Sequence, residues 1–119
     1  MTEPFDKQEL LEELDGDREF LVESVEILDE DAPQLLTELR QAIESGDAGA
    51  AATAAHTVKS MVGNFCASPA HAAALAVETH GNSGDLGACR TGLTLLEQEV
   101  GRLQDALHGL VAEFEGATE

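Results

Sequence analysis

The sequence predicts an all-α chain, an up-and-down four-helix bundle with a short N-terminal capping helix, and three observations carry that prediction. Apolar residues recur at steps of three and four through most of the chain. Glycine and helix-capping residues interrupt that pattern at short intervals. No stretch alternates polar and apolar residues as a strand would. The 119 residues are the size of one domain, so residues 1–119 are read as a single unit.

The elements follow in order. Asp6 with Glu9 forms a D-x-x-E variant of the capping box, and Leu10, Leu11 and Leu14 share one face of a helix over about 6–15. Gly16 stops it and Asp17 caps the next, which spans about 17–45. There Leu21, Val25, Leu28, Ala32, Leu35, Leu39 and Ile43 form the apolar stripe. Pro33 lies inside that stripe, and because the periodicity resumes in phase after it, a kink is expected rather than a break. Ser45-Gly46-Asp47 is a stop and a new cap for a helix over about 47–65, with Ala51, Ala55, Val58, Val62 and Phe65 inward. Ser68-Pro69 reads as cap and first helical residue of a helix over about 69–80, carrying Ala70, Ala73, Ala74 and Val77. The last helix, about 85–115, holds Leu93, Leu96, Val100, Leu103, Leu107, Leu110 and Phe114 along one seam. Gly116-Ala117-Thr118-Glu119 is expected to fray.

Composition narrows the function. Residues are 43% hydrophobic, enough for one core, but aromatics are 3% with no Trp or Tyr, so the core must be aliphatic and alanine-rich. The net charge of −18 repels phosphate backbones and anionic membranes, which argues against nucleic-acid or membrane partners. Cys66 and Cys89 are too few for a disulfide framework and fit a reducing compartment. No charged-then-apolar leader opens the chain and no apolar run is long enough to span a bilayer, so a cytoplasmic location is expected; the chain is read as a monomer, either free-standing or an excised domain of a hybrid kinase.

Acid placement is the most informative feature. None of the 24 carboxylates lies between residues 48 and 77, and that window holds His56 and Lys59. Three residues apart on a helix, the two are neighbours. His56 lies about 200° around the helix axis from inward-facing Val58, so it points to solvent. Around it on the outer side are Ala52, Thr53, Ser60 and Gly63, all small. An isolated surface histidine is ordinarily incidental. Here the cation beside it, the small neighbours and the missing acids describe an imidazole that can carry an anionic phosphoryl group while another protein approaches.

Residues 55–67, Ala55-His56-Thr57-Val58-Lys59-Ser60-Met61-Val62-Gly63-Asn64-Phe65-Cys66-Ala67, resemble the signature of histidine-containing phosphotransfer (HPt) domains. Phe5-Asp6, the Gly-Asp pair at 16–17, Asp31-Ala32-Pro33, Gly46-Asp47 and Gly84-Asp85-Leu86 extend the resemblance over nearly the whole chain. It implies that His56 accepts the phosphoryl group and Lys59 stabilises it. It also implies partners: receiver domains of response regulators and a hybrid sensor histidine kinase. Glu78 matches a position where members of the family carry a polar residue facing the site, which makes it a candidate for hydrogen bonding to His56, although a carboxylate there would also repel the phosphoryl group. The chain departs from the family at Ser60 and Cys66, each standing where a glycine is usual.

Remaining candidates have plainer readings. His71, His80 and His108 show no metal-ligand spacing with one another or with the cysteines, so no metal site is expected. Cys66 beside Phe65 reads as a small buried hydrophobe. Asn64 is read either as bonding backbone groups at the helix end or as contacting a partner, and Gly63 either as marking a close approach by another helix or chain or as a matter of packing alone. No phosphate-cradling loop or nucleophile elbow is present, so no cofactor and no catalytic pocket are expected. The predicted function is a phosphoryl carrier that exchanges phosphate with receiver aspartates, the receiver supplying the acidic pocket and Mg²⁺. The rival reading is a helical adaptor or kinase inhibitor that keeps the fold without phosphotransfer.

Overall fold

The computed structural model describes residues 3–117, with side chains described as far as Phe114. Among the described residues there are five α-helices and no strand: α1 (Lys7–Leu14), α2 (Arg18–Glu44), α3 (Ala48–Gly63), α4 (Ser68–Asn82) and α5 (Leu86–Ala117). Gly116 and Ala117 therefore complete α5 rather than fray, while Thr118 and Glu119 lie outside the described residues.

Four of the five helices start by the same device. The carboxylates of Asp6, Asp17, Asp47 and Asp85 accept from the backbone N–H groups of Glu9, Phe20, Ala50 and Ala88 at 2.9–3.0 Å, satisfying donors that have no partner within the helix. Three of those aspartates follow a glycine in the left-handed region, Gly16, Gly46 and Gly84 at φ of 79°, 80° and 78°. Each Gly-Asp pair is thus a stop and a start in two residues. The α3–α4 junction lacks the pair. Cys66 adopts the left-handed conformation there at φ 55°, and Ala67, which has no side chain to offer, stands at the cap position. Ser68 is consequently the first residue of α4 and not its cap, which corrects the expectation from Ser68-Pro69.

α2 packs on α3 and α5, α3 on α4, and α4 on α5, while α1 touches α2 and α3 meets α5 only lightly. The face that each helix turns inward carries the expected apolar stripe, from Leu21, Val25 and Leu28 on α2 to Leu96, Leu103 and Leu107 on α5, all buried. Leu35 is only half-buried, sharing its place with Leu36. Phe114 is half-buried too, under the Arg18 guanidinium, which lies 5.6 Å from the ring centroid and ties the start of α2 to the end of α5. α2 runs through Pro33 as one helix. Pro33 is exposed, so the carbonyl that loses its partner can be met by water. At the end where α3 passes into α4, Asp6 N–H donates to Cys66 O at 3.0 Å and Lys7 pairs with Glu113 at 3.2 Å, so the N-terminal segment and α1 are held over that end. No helix is long and apolar enough to cross a membrane.

A left-handed backbone costs a side-chain-bearing residue about 1–2 kcal/mol, and glycine gives part of that back through its unfolded-state freedom. Cys66→Gly should therefore raise stability by up to about 1 kcal/mol in urea unfolding, whereas β-branched Cys66→Val should lose about 1–2 kcal/mol. A destabilised Cys66→Gly would mean that packing of the sulfur, not backbone conformation, decides this position.

Candidate functional site

α3 and α4 run in opposite directions with a steady register. Gly81 faces Ala48 and Ala52, and Gly63 lies against His71. Between these two points the register brings Glu78 of α4 level with His56 and Lys59 of α3. Glu78 Oε2 is 2.8 Å from His56 Nδ1, and Glu78 Oε1 accepts from Lys59 Nζ at 2.6 Å. One carboxylate therefore holds both residues, an oxygen to each. His56 stays 60% exposed, while Lys59 and Glu78 are 21% and 17% exposed, so the histidine stands at the surface on a half-sunken ion pair.

The chemistry of this arrangement follows from which atoms can donate. An ionised carboxylate only accepts, so the bond at Nδ1 places the imidazole proton there and leaves a lone pair on Nε2. That nitrogen belongs to an exposed ring and has no protein partner among the described residues. The carboxyl of Glu78 is held below the usual carboxylate range, chiefly by the hydrogen bond from Lys59, against the opposing effect of burial and with a smaller contribution from His56. The group is thus ionised at neutral pH and able to fix the ring.

Several sequence expectations need correcting. The acid-free window holds along the chain but not in space: Glu78, the candidate that the resemblance offered for a bond to His56, arrives from the neighbouring helix and makes that bond. Ala52 is not on the outer face: it is buried against α4, where Gly81 meets its backbone. The helix-wheel angle that put it near His56 ignores how closely α4 approaches on that side. Ser60, Gly63 and Asn64 are exposed on the histidine side of α3, as is Thr53, whose hydroxyl bonds the carbonyl of Gly49. The Asn64 side chain makes no backbone bond among the described residues. Its N–H alone reaches back, to the carbonyls of Met61 and Val62. Nor does Gly63 mark a close helix approach, since a Cβ there would only touch the His71 ring at 3.6 Å.

One feature escaped sequence reasoning. Beyond Gly63 and Asn64 a groove of about 550 Å³ opens between α1, α2 and the end of α3, bordered by Leu14, Phe20, Ile27 and Met61. Phe20 and Ile27 are each 56% exposed, unusual for large apolar side chains. Their sequence signal is that both lie off the inward stripe of α2.

The other titratable clusters differ in kind. His108 Nε2 lies 2.7 Å from Asp29 Oδ2, and Gln104 donates to the other oxygen of that carboxylate, where Lys59 takes the corresponding place at Glu78. α1 brings Glu9 and Glu13 to Cys66, with their ligand atoms within 4.8 Å of one another. Burial first, and then the two carboxylates, push the Cys66 thiol up to about 12, so it remains protonated and donates to Glu13 at 3.6 Å. A thiol held protonated in this way is a poor nucleophile.

In comparison with known families, the model of the Hpt domain fits residues 23–106, from early α2 to late α5, with His56, Lys59 and Glu78 inside the matched span. No curated protein and no solved structure matches the chain.

Because Glu78 has a lower pKa in the folded chain than an unfolded glutamate near 4.3, its ionised form stabilises the fold above that value. This contribution disappears as pH falls through the folded value. The gap in thermal midpoint between the wild type and Glu78→Gln should therefore be steady above about pH 5 and close as pH drops toward 3. A gap that persists unchanged at pH 3 would mean that Glu78 is not held by Lys59 and His56 in solution.

Proposed function

The chain belongs to the Hpt domain family, and on that premise we propose that it carries phosphoryl groups on His56 between receiver domains of a multistep phosphorelay. Hpt domains act in histidine phosphotransfer as carriers rather than as classical enzymes, in exchange with receiver domains and histidine kinases. The observation that carries the specific reading is the pair of bonds to Glu78, which leaves the exposed ring with a free lone pair at Nε2.

In the proposed step, Nε2 attacks the phosphorus of a receiver's aspartyl phosphate. The P–N bond forms as the P–O bond to the aspartate breaks, and that oxygen leaves as carboxylate. The proton stays on Nδ1, where Glu78 offsets the positive charge that the ring acquires. Lys59, one helical turn from His56, would stabilise the phosphoryl oxygens by passing from Glu78 to them. The reverse reaction at a second receiver uses the same atoms in the opposite order. Mg²⁺ and the acidic pocket belong to the receiver, and this chain supplies an aimed nucleophile. We read residues 1–119 as one domain, a four-helix bundle of α2–α5 with α1 over one end, working as a cytoplasmic monomer. The adaptor reading would leave the oriented histidine without a purpose.

For docking, we propose that the receiver rim covers Ser60, Gly63 and Asn64 and that the apolar groove beside Phe20 and Ile27 receives one of its helices. The two features adjoin, since Gly63 and Asn64 themselves line the groove.

Phosphate from a labelled receiver should appear only on Nε2 of His56, shown by phosphohistidine NMR, and His56→Gln should carry none. Label remaining on that variant, or found on His71, His80 or His108, would overturn the assignment. Ser60→Leu and Ile27→Asp should each slow receiver-dependent transfer on the order of tenfold or more, the cost of one well-packed contact, while melting stays near wild type. Leu95→Asp, exposed on α5, should leave transfer intact. Equal loss in all three variants would place the docking face elsewhere.

A further inference from the structure

The site depends on the distance between two helices, and one residue sets how small that distance can be. A Cβ added at Gly81 would lie 2.8 Å from Ala52 N, 2.9 Å from Ala48 O and 2.9 Å from Ala52 Cβ. Two of those atoms are main chain within α3, which cannot rotate aside, and carbon contacts are comfortable only near 3.5–4 Å. Gly92 is different: its missing Cβ would meet the side chain of Val77, on the α5 side of α4. Gly101 and Gly109 would meet nothing. Among the described residues, Gly81 is thus the glycine whose missing Cβ is demanded by the backbone of a neighbouring helix.

Gly81 lies one helical turn from Glu78 on α4, just as Ala52 lies one turn from His56 on α3. We infer that Gly81 is a positioning residue for the phosphotransfer site: it lets α4 lie against the α3 backbone, and that closeness puts the Glu78 carboxylate within reach of both His56 Nδ1 and Lys59 Nζ. The bridge has little slack. Its bonds are 2.8 and 2.6 Å, and a parting of the helices by about 0.5–1 Å carries them to the edge of hydrogen-bonding distance. A change of Glu78 rotamer could keep one of the two bonds but not both, because the two partners sit a helical turn apart on α3. The role in transfer rests on the function proposed above, whereas the effect on the His56 ring does not.

The test is therefore read first on the protein alone. In ¹⁵N NMR at alkaline pH, wild-type His56 should be mainly the Nδ1–H tautomer. Gly81→Ala should shift it toward the Nε2–H form that a free imidazole side chain favours, and the Lys59 ammonium should lose its carboxylate partner. Leu110→Ala, which opens a cavity at the other end of the core and lowers stability, should leave the tautomer as in wild type. Retention of the Nδ1–H form in Gly81→Ala, or the same tautomer shift in Leu110→Ala, would overturn the inference. Should Gly81→Ala fail to fold, Glu78→Asp asks the same question without a clash, since it withdraws the carboxylate by one methylene. Nδ1–H dominance surviving in Glu78→Asp would show that helix spacing does not limit the bridge and would also overturn the inference. Receiver-dependent transfer, measured separately, should fall on the order of 10- to 100-fold in Gly81→Ala. Absence of transfer in the wild type would remove the proposed function and leave the tautomer result standing.

Discussion

The separation of α3 and α4 is the constraint from which the rest of the site follows. Alanine and glycine line their contact, with Ala51, Ala52 and Ala55 on one side and Ala70, Ala73, Ala74 and Gly81 on the other, all buried. Side chains so short bury little apolar area each, and they let the two backbones approach closely. A larger residue at these positions would add hydrophobic area and push the helices apart. Stability of the whole chain rests instead on the leucine-rich faces of α2 and α5, which supply most of the large fully buried side chains. The molecule thus separates the tasks: α2 and α5 fill the core, while α3 and α4 set a distance.

That distance turns a carboxylate, which would ordinarily repel a phosphoryl group, into an asset. Glu78 is the first acid after thirty acid-free positions, and both of its oxygens are occupied. Lys59 balances its charge, so the pair presents little net field to an incoming anion, while the oxygen on His56 determines which ring nitrogen holds the proton. The second histidine–carboxylate pair, His108 with Asp29, bonds through Nε2 and has Gln104 in place of a cation. The lysine on the carboxylate is what distinguishes the first pair from the second.

Charge is distributed to match. A chain of net charge −18 repels most acidic proteins, and a receiver's catalytic pocket is itself acidic. Keeping acids off α3 lowers that repulsion on the face that we propose a partner meets. In the docking we propose, the groove beside it would add attraction that does not depend on charge, through the exposed Phe20 and Ile27. The α3–α4 junction completes this end of the molecule with Cys66 and Ala67 where the other long-helix junctions use glycine and aspartate, and the strain at Cys66 is borne by contacts from Asp6 and Glu13.

Periodicity and capping alone determined the helices, since both are local: a Gly-Asp pair stops one helix and starts the next whatever lies around it, and apolar steps of three and four mark the inward face. Hence all five elements, the continuity of α2 through Pro33 and the exposure of His56 were legible in the residues. Local rules failed at the junction without the pair, where Ser68 has the composition of a cap yet Ala67 stands at that position. What surrounds His56 was a matter for tertiary structure. Ala52 and Ser60 look equivalent on an isolated helix, but α4 lies on one side of α3 and not the other, burying the first and leaving the second exposed. Glu78 stands 22 residues from His56 along the chain, and no rule of spacing within one helix can see across to another. Only the packing of Gly81 onto the α3 backbone decides that the two side chains meet, because hydrogen bonds of 2.8 and 2.6 Å form or fail on a displacement smaller than a methyl group.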